Sequence, residues 1–65
     1  MKLIYNKEVD VLLIEISKGK VAESDESKPG IIFDYDDQGR ILRIEILDAS
    51  ERTETPFKVE FEEIS

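Results

Sequence analysis

Apolar residues in this chain recur at every second position instead of with the 3.6-residue spacing of a helix, and β-branched side chains dominate them. The pattern predicts strands throughout. A short first segment, Lys2 to Tyr5, is followed by a turn at Asn6, Lys7 and Glu8, and then by Val9 to Ile16. There Val9, Val11 and Leu13 point one way and Leu12, Ile14 and Ile16 the other, so both faces are apolar and the strand is expected to be central. Lys18 and Gly19 supply turn chemistry. Lys20 to Ser24 reads as a weak strand dissolving into the polar run Glu23 to Lys28, which is expected to be an edge strand or a loop.

Pro29 and Gly30 punctuate the chain before Ile31, Phe33 and Tyr35 alternate with Ile32 and Asp34 in another strand. Asp36, Asp37, Gln38 and Gly39 form the return, with Gly39 suited to the positive-φ position of a type I turn with a G1 bulge. The partner strand, Arg40 to Leu47, sets Leu42, Ile44 and Ile46 against Ile41, Arg43, Glu45 and Leu47. Asp48, Ala49, Ser50 and Glu51 match an Asp-x-x-Glu capping box, which predicts one helical turn near Asp48 to Thr53 before Pro56 stops it. In the tail, Phe57, Val59 and Phe61 alternate with Lys58, Glu60 and Glu62, the pattern of a last strand.

These segments predict a single domain over residues 1–65. It is all-β, or α+β if the turn near Asp48 becomes a helix, and is built as an antiparallel meander of five or six short strands. The second apolar face of Val9 to Ile16 then needs a cover. Either the tail strand packs across it or two copies stack face to face, and a homodimer is the favoured expectation.

Composition sharpens that point. A chain of 65 residues buries only about 60% of the surface its unfolded form exposes. Small domains close this gap with disulfides, metals or self-association, and with no Cys and no His the first two routes lose their usual ligands. The same absences remove thiolate chemistry, Ser-His triads and histidine acid-base catalysis, so the expectation is that the protein is not an enzyme and carries no catalytic, cofactor or metal residues. The longest wholly apolar run, Val11 to Ile14, is far short of the roughly 20 residues that span a bilayer, and a cytoplasmic protein without membrane contact is expected. Nine bases against sixteen acids give a net charge of −7, which disfavours nucleic acid as a partner. The excess lies after Phe33, where ten acids face four bases. A surface of that sign is read first as a source of solubility, with attraction of a basic protein partner as the sharper alternative.

One constellation imitates a metal site. Asp34, Asp36, Gln38, Gly39 and Glu45 fall at positions 1, 3, 5, 6 and 12 of the helix-flanked calcium loop, with Gln38 off pattern. Here strands replace the flanking helices, and Glu45 is expected to lie too far past the turn to reach Asp34 and Asp36. A solvated acidic hairpin is the preferred reading. Paired-acid catalysis by Asp34 with Asp36, or by Glu60 with Glu62, is disfavoured because surface carboxylates stay ionised. Tyr5 and Tyr35 are expected to be half-buried sheet residues.

Tyr5, Glu8, Asp10 and Ile14, then Gly30, Asp34-Tyr35-Asp36, Gly39 and Ile44-Glu45-Ile46-Leu47 with Ala49-Ser50, form an ordered set. In this set the chain resembles domain-of-unknown-function family 2283, a group of small bacterial and archaeal proteins, over roughly Met1 to Arg52. Leu13 stands where that family often has an aromatic residue and Arg43 where a glycine is common. The resemblance implies no catalytic activity and no site residues. It does imply an antitoxin-like role, since such proteins are sometimes encoded beside small toxins. The leading expectation is a self-associating, non-enzymatic interaction module that neutralises a basic partner. The alternative is a small ligand- or divalent-cation-binding domain using the acidic hairpin Asp34 to Asp37.

Overall fold

The structure, a computed structural model, describes residues 1–54 and 58–65. Five strands form one open antiparallel sheet: β1 (Lys2–Asn6), β2 (Val11–Glu15), β3 (Glu23–Lys28), β4 (Ile31–Tyr35) and β5 (Ile41–Leu47). A single helical turn, α1 (Ala49–Arg52), follows β5. The all-β reading with one short helix therefore holds. The spatial order is β1-β2-β5-β4-β3, which departs from a simple meander at one place, because β2 pairs with β5 instead of with β3. The chain from Ile16 to Ala22 makes that crossing along one end of the sheet. It is held there by the Ile16 and Ser17 amides on the Leu42 carbonyl and by the Ala22 amide on the Tyr35 carbonyl.

Two strands sit differently from their sequence reading. Val9 and Asp10 belong to the β1–β2 turn and not to β2, because Asp10 takes a left-handed φ of 56°. The polar run Glu23 to Lys28 is itself β3, and Lys20 to Ala22 stays outside the strand. Every residue of β3 is exposed, so as an edge strand it needs no apolar side chain to justify its pairing with β4. The expected tail strand fails where it can be judged. Phe57 lies outside the described residues, Lys58 to Ser65 carry no strand, and Val59 and Phe61 are 60% and 89% exposed. Alternation marks a segment as amphipathic, but a strand also needs a neighbouring edge to pair with.

Directly opposed residues share a face, so the register assigns every side chain. One face carries two apolar rows, Leu3–Ile14–Ile44–Phe33 and Tyr5–Leu12–Ile46–Ile31. On the other face a row of alternating sign runs across all five strands, from Lys2 through Glu15, Arg43 and Asp34 to Ser24. Among the described residues the buried hydrophobic side chains are Leu12, Leu42 and Ala49, while the remaining apolar strand residues are half-buried or exposed. The molecule measures 34 × 33 × 19 Å, the outline of a sheet with one layer.

Candidate functional site

Three polar arrangements organise the residues singled out in the sequence. The first sits at the end of the sheet where β5 turns into α1. Asp48 was expected to cap that turn, but it adopts a left-handed backbone (φ 53°, ψ 46°) and its side chain makes no capping bond. An N-cap side chain reaches the first turn only from an extended backbone, and Asp48 spends its conformation on reversing the chain. Asp10, 40 residues before Ser50, does the work in its place. Its carboxylate accepts from the Ser50 amide at 3.0 Å and the Ser50 hydroxyl at 2.7 Å, and its carbonyl accepts from the Ala49 amide at 2.9 Å. The Tyr5 hydroxyl donates to the same carboxylate at 2.5 Å. Hydrogen bonds from Tyr5 and Ser50 hold the Asp10 carboxyl below the usual range, and the anion in turn pushes the Tyr5 phenol up.

The other end of α1 is fastened across the sheet. The Arg52 guanidinium donates to the Pro29 carbonyl at 2.8 Å and lies directly over Gly30, whose φ is +82° and which has no Cβ to block it. The Glu26 carboxylate accepts from the Gly30 amide at 2.8 Å. Tyr5, Asp10, Gly30, Ala49 and Ser50, separate pieces of the resemblance set, thus converge on one structural clasp. The sequence held the signal in that ordered set, but no local pattern pairs Asp10 with Ser50.

The second arrangement centres on Asp34, 1% exposed on the charged face. Its carboxylate accepts from the Ser24 hydroxyl at 2.6 Å and from Arg43 Nε at 3.1 Å. The sequence expectation that Glu45 lies beyond reach of Asp34 is wrong. The β4–β5 register sets Asp34 opposite Arg43 and places Glu45, two residues on, on the same face beside it, where the two carboxyls act on each other. Burial opposes ionisation of Asp34, but Ser24, Glu45 and Arg43 outweigh it and its carboxyl stays below the usual range. Glu45 moves the other way, pushed up by burial and by the neighbouring Asp34 anion.

The third arrangement is the β4–β5 turn, where Gly39 has the expected positive φ of 81°. Asp36 accepts from the amides of Gln38 and Arg40, each at 2.9 Å, and from Arg40 Nε at 2.8 Å. The Arg40 amide leads the donors that lower the Asp36 carboxyl. The calcium-loop carboxylates are therefore divided: Asp34 and Glu45 pair on the sheet, while Asp36 folds the turn. No group of three or more acids among the described residues is arranged to hold a metal ion. Asp36 and Asp37 do border a shallow cleft of about 420 Å3 against the crossover, where Lys18, Lys20 and Arg40 face them. Tyr5 and Tyr35 are half-buried as expected, and Tyr35 packs against Phe33 with ring centroids 6.4 Å apart.

No helix among the described residues is long and apolar enough to cross a membrane. Neither a curated protein nor a solved structure matches the chain. A family model does, over residues 2–50, a span that takes in the Tyr5–Asp10–Ser50 clasp, the Asp34–Glu45 pair and all five strands. The chain belongs to the family described as protein of unknown function, DUF2283.

Proposed function

We propose that this domain is a non-enzymatic interaction module that self-associates and uses its acidic outer surface to engage a basic protein, in an antitoxin-like role. The observation that carries this reading is the pair of apolar rows on one face of a single-layer sheet whose buried core among the described residues comes to three hydrophobic side chains. Such a patch on a small domain marks a contact surface. The net charge of −7 supplies the attraction for a basic partner and raises its association rate. Light-scattering mass in solution, followed by a pull-down from the native host and co-expression with the neighbouring reading frame, tests it. A dimer that captures a basic protein supports the reading. A strict monomer at high concentration with no basic partner overturns it.

A second reading, a small ligand or divalent cation on the hairpin Asp34 to Asp37, draws on the cleft bordered by Asp36 and Asp37. The engagement of Asp34 by Arg43 and of Asp36 by Arg40 works against it. Saturable heat at millimolar calcium or below, abolished by Asp36→Asn with Asp37→Asn, would favour it over the first.

A further inference from the structure

We propose that the outer edge of β1 receives the tail segment Lys58 to Glu62 of a second copy of this chain, added to the sheet as an antiparallel sixth strand. The inference rests on the self-association reading and gives it a contact. Among the described residues β1 pairs with β2 alone, so it borders the sheet, and its Leu3 and Ile4 are exposed. A border strand is a template for another chain. In the tail, Val59 and Phe61 are exposed and alternate with Lys58, Glu60 and Glu62, yet within the protomer Lys58 to Ser65 form no strand. Lys58 and Glu60 lie instead beside Thr53 and Glu54, just past α1.

Directly opposed residues share a face, so the tail of the second copy can be laid against β1 position by position. Phe61 opposite Leu3 and Val59 opposite Tyr5 bring Glu62 to Lys2, Glu60 to Ile4 and Lys58 to Asn6. Both apolar rows then gain a strand, becoming Phe61–Leu3–Ile14–Ile44–Phe33 and Val59–Tyr5–Leu12–Ile46–Ile31. On the other face Glu62 takes the place ahead of Lys2, Glu15, Arg43 and Asp34, so the alternation of sign continues. A parallel tail also keeps Val59 and Phe61 on the apolar face, but it sets Lys58 against Lys2. An antiparallel tail displaced by two residues pushes Phe61 past β1 onto Met1.

The other border of the sheet does not suit the tail. β3 contains no apolar residue to oppose Val59 or Phe61, and its pairing is bulged between Glu26 and Lys28. Its acids Glu23, Asp25 and Glu26 would also meet Glu60 and Glu62, whereas β1 carries Lys2 and no acid.

The chain has no cysteine, so introduced thiols report the pairing without background. Opposed residues of an antiparallel pair hold their Cβ atoms about 4.5–5.5 Å apart, near enough for a disulfide after a small shift. Full-length Asn6→Cys chain mixed with full-length Lys58→Cys chain and oxidised should give the mixed disulfide dimer. Asn6→Cys with Glu62→Cys reads the parallel pairing and Ile4→Cys with Lys58→Cys the displaced one, and each should cross-link about tenfold less. A preference for either overturns the proposal. In light scattering, Phe61→Asp should weaken association about tenfold, while Ile64→Asp, equally exposed but beyond the paired residues, leaves it intact. Circular dichroism confirms that the variants fold. If the Asn6→Cys, Lys58→Cys double variant closes its disulfide within one chain and the mixed dimer is absent, the tail serves its own β1 and the contact between copies is overturned. A dimer that forms no such disulfide overturns the tail contact and leaves self-association standing. A monomeric wild type overturns both.

Discussion

Asp34 and Glu45 show how far a residue's chemistry depends on register. Asp34 draws stability from being ionised, because its carboxyl is lower in the folded chain than its ordinary 3.8. That stability is present above about pH 4 and disappears as the pH falls through the folded value. Glu45 is raised above its ordinary 4.5, so its contribution is present below that value and is lost as the pH climbs through the folded one. Stability should therefore peak in mildly acid solution and decline on both sides. Urea midpoints measured across the acid-to-neutral range would show it, and in Glu45→Gln, which keeps a donor for Asp34 but cannot ionise, the decline on the neutral side should vanish. Asp34→Ala should cost about 1 kcal/mol in the same measurement, since it removes the acceptor of the Ser24 and Arg43 hydrogen bonds while both donors keep contact with water. Both acids were visible in the sequence as members of a false calcium loop. Their partnership was not, because the expected hairpin does not by itself give the register, shifted between Asp34 and Tyr35, that sets Arg43 against Asp34.

At the level of elements, β1, β2, β4 and β5 were legible because period-two alternation is a local signal, and Gly39 marked its own turn. What could not be read locally was supplied by another element. The helical turn was expected from Asp48 to Thr53, yet its cap comes from Asp10 in the β1–β2 turn. Asp10→Ala should free α1 while leaving the β4–β5 hairpin in place. Hydrogen exchange checks this: the Ser50 amide should lose protection and the β4–β5 ladder should keep it. Gly30→Ala probes the far end of the clasp. A Cβ there would sit 2.4 Å from the Arg52 guanidinium on a backbone of φ +82°, so a loss of about 1–2 kcal/mol in thermal unfolding is expected, accompanied by release of Arg52 from the Pro29 carbonyl. The polar β3 strand and the unpaired tail mark opposite limits of pattern reading. An edge strand can form without apolar side chains, and an alternating segment can lack a partner.

For the whole molecule, the apolar excess on β2 was already a sequence problem, and the single-layer sheet turns it into a surface with a location. If that surface is filled by a second copy, the melting temperature must rise with protein concentration, which calorimetry over a hundredfold dilution series would reveal. The strand order carries a different consequence, one of folding time. Two local units, the β1–β2 hairpin and the β3–β4–β5 meander, are joined in the sheet through the β2–β5 ladder, which couples residues as distant as Val11 and Leu47. Each unit can form from near neighbours, whereas the ladder must wait for the chain between them to close on itself. The rate-limiting event should then be the docking of hairpin on meander, with Asp10 locking onto Ser50 only afterwards. Substitutions at Ile14 or Ile44 should slow folding, and removal of the Asp10 clasp should chiefly hasten unfolding.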